Sequence, residues 1–77
     1  MQINVLAFGK LADIAGSNKW TIENVTSTDA LKIMLENEMP ILRTMTYKIA
    51  VDKKIANENI LLTNDCEVAL LPAFSGG

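Results

Sequence analysis

The sequence predicts an α+β fold in which one main helix lies across one face of a small mixed sheet. Three observations predict it. Stretches near both ends of the chain, Ile3–Phe8 and Glu67–Leu71, are short runs with apolar residues on both faces of a two-residue repeat, as in a strand covered on both sides. One run between Ser27 and Pro40 has helical spacing instead. The chain has 77 residues and is 49% hydrophobic, enough for one compact core and one domain spanning residues 1–77.

Each element follows from its residues. In Ile3–Phe8, Val5 and Ala7 share one face and Leu6 and Phe8 the other. Apolar residues on both faces predict a central strand covered on both sides. Gly9-Lys10 breaks it, Leu11–Ala15 forms a short helical turn, and Gly16 stops that turn. Lys19–Val25 is a second strand, with Trp20, Ile22 and Asn24 on one face and Thr21, Glu23 and Val25 on the other. The short link predicts antiparallel pairing with the first strand.

Ser27 is placed to cap the main helix, and Asp29 in its first turn complements the helix dipole. Ala30, Leu31, Met34 and Leu35 form its buried stripe, Ile33 falls opposite, and Pro40 ends it. Ile41–Thr46 is a connection. Tyr47–Val51 is a third strand, Asp52-Lys53-Lys54 a turn, and Ile55 the start of a short return strand. Asn57-Glu58-Asn59 is a polar loop, Ile60-Leu61-Leu62 caps the core, and Thr63-Asn64-Asp65 turns into the last strand. There Val68 and Leu70 face one way and Ala69 and Leu71 the other, until Pro72, which has no N–H, stops the strand. The order strand, strand, helix, strand, short strand, strand is the β-grasp arrangement. In it the first strand lies beside the last, and the sheet face away from the helix stays open.

Composition excludes several functions. Net charge is −2 and Lys53-Lys54 is the only adjacent basic pair, so no basic stripe tracks phosphates and no nucleic-acid binding is expected. No apolar run approaches the ~18 residues that span a bilayer, and Met1-Gln2 leads straight into a strand, so neither membrane span nor signal peptide is expected. The lone Cys66 has no internal disulfide partner, which fits a reducing cytoplasm. Without histidine there is no Ser/His or Cys/His pair and no imidazole metal site. None of the four glycines belongs to a phosphate-cradling loop. The expectation is no metal site and no cofactor bound by this chain.

The sequence closes on Pro72-Ala73-Phe74-Ser75-Gly76-Gly77. A Gly-Gly end is the thinnest and most flexible form of polypeptide, with one functional group, the α-carboxylate of Gly77, at its tip. The competing reading is an ordinary frayed terminus.

Over its whole length the chain resembles the small, sulfur-carrying subunit of molybdopterin synthase, a ubiquitin-like β-grasp family. Val5-Leu6-Ala7-Phe8, Leu11–Gly16, the capped start Ser27-Thr28-Asp29-Ala30-Leu31 and Ala50-Val51-Asp52 carry the resemblance. Its most specific part is Glu67-Val68-Ala69-Leu70-Leu71-Pro72 leading into Ser75-Gly76-Gly77. The chain departs from the family in Pro72-Ala73, where two prolines are common, and in Asp65-Cys66, where Gly-Asp is usual. Asp tolerates unusual turn dihedrals, so the turn is expected to survive.

The resemblance implies a mechanism. An adenylating, ubiquitin-activating-like enzyme uses ATP and Mg to activate the Gly77 carboxylate. A sulfur donor protein then converts it to a thiocarboxylate. The carrier docks on the large subunit of a heterotetrameric synthase and inserts Phe74, Ser75, Gly76 and Gly77, delivering sulfur to a cyclic pterin precursor. The reach from Pro72 to Gly77 is at most about 20 Å, so the partner must sit close to the end of the last strand. Phe8, Ile55, Leu71 and Pro72 are the interface candidates; the alternative for the first three is buried core. Cys66 reads as a small residue at a turn rather than a sulfur relay, having neither histidine nor a C-x-x-C partner. A carrier for thiamin thiazole synthesis, a ubiquitin-like modifier of lysines, and an interaction module without chemistry are the other readings.

Overall fold

The computed structural model of the chain describes residues 2–72. Strand β1 (Gln2–Ala7) leads into helix α1 (Lys10–Ala15) and strand β2 (Lys19–Glu23). Helix α2 (Thr28–Glu38) follows, then a 3-10 turn over Pro40–Thr44. Strands β3 (Tyr47–Val51), β4 (Lys54–Ile55) and β5 (Glu67–Pro72) complete a five-stranded sheet of order β2-β1-β5-β3-β4. Only the β1–β5 pair is parallel; β1–β2, β3–β5 and β3–β4 are antiparallel. This is the expected β-grasp.

The core lies on the α2 side of the sheet. Ile3, Val5 and Ala7 of β1 and Val68 and Leu70 of β5 point into it, with Ile22 and Ile49 from their neighbours. They meet Leu31 and Leu35 of α2, both fully buried. Leu11 of α1 and Leu42 of the 3-10 turn close the ends of the same core. The remaining faces differ from expectation. β1 is internal but covered on one side only: Leu6 is half-buried, and Phe8, just past the strand, is 47% exposed. In α2, Ala30 is exposed and Thr28 is buried in its place. At 100° per residue Ala30 lies 100° from Leu31, whereas Thr28 falls near Leu35. Ile33 is exposed on the opposite face, as its phase predicts.

The second strand ends at Glu23, two residues earlier than its alternation suggests. Asn24 adopts φ 65, and this left-handed step turns Val25 from the Thr21 face into the core, where it is 4% exposed. Leu62 enters the core from the expected cap, while Leu61 stays 78% exposed. The cap is instead a hydrogen-bonded clip. The Thr28 hydroxyl accepts from the Ile60 N–H at 2.9 Å, and the Asp29 N–H donates to Asn59 Oδ1 at 3.0 Å. With the Ala30 N–H donating to Ser27 Oγ, the first turn of α2 has two side-chain acceptors, one from 30 residues away.

Turn chemistry explains the remaining corners. Gly16 ends α1 at φ 76 in the left-handed region. Asp65 adopts φ 64 and donates its N–H to the Gln2 carbonyl, so the Asp65-Cys66 turn holds without glycine. Cys66 itself is buried, and burial pushes its thiol pKa up. The β3–β4 hairpin turns through Asp52 and Lys53, at φ 47 and 73, the paired positive angles of a type I′ turn. Asp52 Oδ1 accepts from the Glu67 N–H at 3.0 Å, anchoring its position. Lys53 has no comparable compensation.

One long-range contact had no local signal. The Tyr47 hydroxyl donates to Glu36 Oε2 at 2.7 Å, tying α2 to β3, and Lys32 Nζ lies 5.8 Å from the ring centroid. Burial, then the hydrogen bond and the negative charge of Glu36, push the phenol pKa well above its ordinary value.

Two stability measurements check this account. Lys53→Gly should stabilise the chain by about 0.5–1 kcal/mol in urea unfolding, because glycine relieves the left-handed angle. An unchanged or lower midpoint would place the turn's strain elsewhere. Tyr47 is the only tyrosine, so tyrosinate absorbance reads it alone. The folded chain should hold the phenol proton after an unfolded tyrosine has lost it near pH 10. Its contribution to stability is therefore whole below about pH 10 and lost as pH rises through the folded value. Glu36→Gln should bring the midpoint back toward 10; a wild-type midpoint already at 10 refutes the coupling.

Candidate functional site

The face away from α2 is built by strand register. Leu6 pairs with Ala69, Ala69 with Ala50, and Ala50 with Ile55, so one apolar row crosses β1, β5, β3 and β4. The next row toward the C-terminal end of β5 holds Leu71, paired with Lys48. The Phe8 N–H donates to the Leu70 carbonyl at 3.3 Å, extending the β1–β5 register one step toward Leu71. Ile55 is 43% exposed and Leu71 half-buried. The structure thus brings Phe8, Leu71 and Ile55 onto one open face, and none of them is a member of the core. Within the row Ala50 is buried and Leu6 and Ala69 are half-buried, so the apolar surface left open is Ile55 at one end and Phe8 beside Leu71 at the other, the kind of surface an interface uses.

Pro72 stands apart from those three. It is the last residue of β5 and pairs with Tyr47, so the strand runs one residue further than its missing N–H suggested. Strand alternation puts it on the Leu70 side, toward α2, where it is half-buried. A strand's terminal residue can be proline because its carbonyl still pairs. Gly9 packs against it: at φ 57 and ψ −133, a Cβ there would come within 3.2 Å of Pro72 Cγ. Gly9 is therefore required twice, by its backbone angles and by the proximity of Pro72. The turn after β1 and the end of β5 set each other's position.

Phe74, Ser75, Gly76 and Gly77 lie outside the described residues. The structure shows the point from which they depart, at the corner shared by Phe8, Gly9, Tyr47 and Leu71. Among the described residues, no three Cys, Asp or Glu side chains are grouped to hold a metal ion. None of the described helices is long and apolar enough to cross a membrane. The hollow between α2 and the β3–β4 edge, bordered by Lys32, Tyr47, Lys48, Ile55 and Asn59, is open to solvent and meets the apolar row at Ile55.

Sequence reasoning missed the Gly9–Pro72 contact and the Lys48–Leu71 pairing. Both depend on which strands are neighbours, and only the Gly9 break hinted at either.

Comparison with known proteins agrees with this geometry. A search of curated proteins returns no match. Among solved structures, the fold superposes on a protein assigned as molybdopterin converting factor, subunit 1, from Pyrococcus furiosus. The TM-score is 0.86 at 15% identity, over 96% of this chain and 99% of that one. Small archaeal modifier protein 1 from Haloferax volcanii matches at TM-score 0.79 and 20% identity, with both chains fully covered. The complex of subunits 1 and 2 of molybdopterin-converting factor from Helicobacter pylori 26695 contains a chain matching at TM-score 0.73 and 22% identity, again fully covered on both sides. Those identities establish the shared fold. The family follows from the sequence itself: the model of the ThiS family matches residues 5–77, from the first core valine of β1 through the glycine pair. The chain belongs to the ThiS family of ubiquitin-like β-grasp sulfur carriers.

Proposed function

We propose that this chain is the sulfur-carrying small subunit of a cytoplasmic molybdopterin synthase. The observation that carries the proposal is the corner at Pro72. There β5 releases the chain beside an open apolar row, five residues before Gly77. A chain end that must react inside another protein needs a thin tip and a docking surface within its reach.

The chemistry requires outside activation, since an ionised carboxylate is a poor electrophile. An adenylating enzyme using ATP and Mg joins the Gly77 carboxylate to AMP and releases pyrophosphate. A sulfur donor displaces AMP and leaves a thiocarboxylate. On the large subunit that sulfur attacks the pterin precursor to give a thioester, and water then cleaves the acyl C–S bond, releasing one thiolate of the dithiolene and restoring the Gly77 carboxylate. This chain contributes the nucleophilic sulfur and its delivery; the partners supply the acid–base chemistry and the electrophile. The subunit 1–subunit 2 complex of the H. pylori converting factor supports a large-subunit partner of this kind. The likeness to small archaeal modifier protein 1 supports attachment to proteins as a second reading, with the same first step.

Two experiments test the proposal. Adding one alanine after Gly77 should abolish sulfur loading and leave fold and docking intact. It turns the Gly77 carboxylate into an amide and moves the reactive carboxyl by about 3.3 Å, where a 1 Å misplacement can already cost about a hundredfold. The readout is intact mass after incubation with adenylating enzyme, ATP and sulfur donor. Normal loading of the untrimmed extended chain would falsify the terminal-carboxylate mechanism, whereas adducts to other proteins favour the modifier reading. Separately, Phe8→Asp or Leu71→Asp should weaken binding to the large subunit by at least ~2 kcal/mol, as for a buried interface anchor. Calorimetric affinity equal to wild type in folded variants removes both residues from the docking surface.

A further inference from the structure

The apolar row is bordered by opposite charges at its two ends. Toward the departure corner of β5, Lys19 pairs with Leu6 and Lys48 with Leu71, both lysines exposed on the open face. Trp20 and Ile49, their neighbours in sequence, pack on the α2 side, which fixes the lysines on the other. Toward the opposite end the same face carries carboxylates. Glu23 pairs with Gln2 and Glu67 with Asn4, both placed on the open side by the burial of Ile22 and Val68. The turn residue Asp52 sits beside Glu67 and accepts its N–H. Lys53, exposed in the same turn, sits among these acids, so along the strands the face passes from Lys48 beside Leu71, through an apolar row flanked by Lys19, to an end where carboxylates outnumber lysines.

Net charge does not reveal this. At −2 the chain is only weakly acidic, and its basic and acidic groups cancel in the sum. Their separation along the open face is a product of register: the lysines come from β2 and β3 and the carboxylates from β2 and β5, in rows that pairing brings together. Charges at an interface rim contribute mainly to encounter rate and register, because like-charge juxtaposition disfavours the wrong orientation. A nearly flat apolar row cannot by itself tell a partner which end carries the tail.

We propose that this charge separation sets the docking orientation, and that the partner surface is a protein with the complementary order. That surface has carboxylates bordering its tail entrance, an apolar centre facing the Leu6–Ile55 row, and lysines or arginines at the far end. The inference rests on the proposed docking of the open face and adds the chemistry of what docks there. Both Lys48 and Glu23 act as specificity residues in this scheme, and neither contributes to the core.

The test uses the full-length chain, the purified large subunit and the purified adenylating enzyme of the same organism. Association rate and Kd are measured at 50 mM and 500 mM salt for wild type, Lys48→Glu, Glu23→Lys and the double variant. Each single variant should bind every partner that the wild type binds about three- to tenfold more weakly at low salt, and the double variant more weakly still. The differences should shrink at high salt, where screening shortens to a few ångströms. The single variants shift net charge in opposite directions, by two units each way. If net charge alone steers binding, one of them must bind more tightly; that result overturns the orientation proposal and leaves the docking reading standing. Unchanged affinities in both variants overturn it equally. A wild-type chain that binds neither protein overturns the docking reading along with it. Circular dichroism confirms that the variants fold, and Lys48→Gln, with half the charge change, should fall between wild type and Lys48→Glu.

Discussion

The parallel pairing of β1 with β5 is the constraint on which the rest of the structure depends. Asn4 to Ala7 run beside Glu67 to Leu70, joining an N-terminal hairpin to a C-terminal one across more than 60 residues of chain. Val5 and Val68, both at 0% exposure, form the centre of that seam and the floor on which α2 packs. Without it β2–β1 and β5–β3–β4 would be two small ribbons, neither able to bury enough apolar surface to persist. The seam also aligns the ends of β1 and β5. That alignment puts Gly9 against Pro72 and Phe8 near Leu71, so the docking row and the departure point are one geometrical result.

Much of this was legible in the sequence because it is local. The period of two in Val5–Phe8 and Val68–Leu71 predicted which residues share a face, and the burial of Val5, Ala7, Val68 and Leu70 shows which of the two faces meets α2. Ser27, Gly16 and Asp65 announced a cap, a stop and a turn through their own side-chain chemistry. The misreadings share a cause. Val25 was given the wrong face because a single left-handed residue, Asn24, resets the alternation without leaving a gap in the apolar pattern. Ala30 was placed in the core because its apolar character fitted the stripe, whereas Thr28 earns burial through hydrogen bonds with Asn59 and Ile60, some 30 residues away. Pro72 was taken to stop the strand because proline cannot donate, yet a last residue has no need to. Interactions between distant segments, such as Tyr47 with Glu36, leave no periodic trace to read.

The division of labour between the two sheet faces follows from the same register. The α2 face is closed by leucines, isoleucines and valines and decides stability. The open face is apolar only in a strip, with lysines and carboxylates beside it. The proposed function concerns a chain end rather than a pocket, and the close tolerances of the described fold lie at the corner next to it. Gly9 has both a restricted backbone and a restricted neighbour there, whereas the far end of the sheet accepts Asp and Asn in its turns.

The seam has a further consequence for how such a chain is made. Its innermost strand, third of the five in space, is the last in sequence. During vectorial synthesis the hairpin β1–β2 and helix α2 emerge with a gap where β5 belongs, and the core stays open until residues 67–72 leave the ribosome. The β1–β5 and β3–β5 ladders then form together, pairings of high sequence separation of the kind that slows folding. A ribosome that stops early therefore yields a chain with no folded docking face. Completing β5 is thus what assembles the open face.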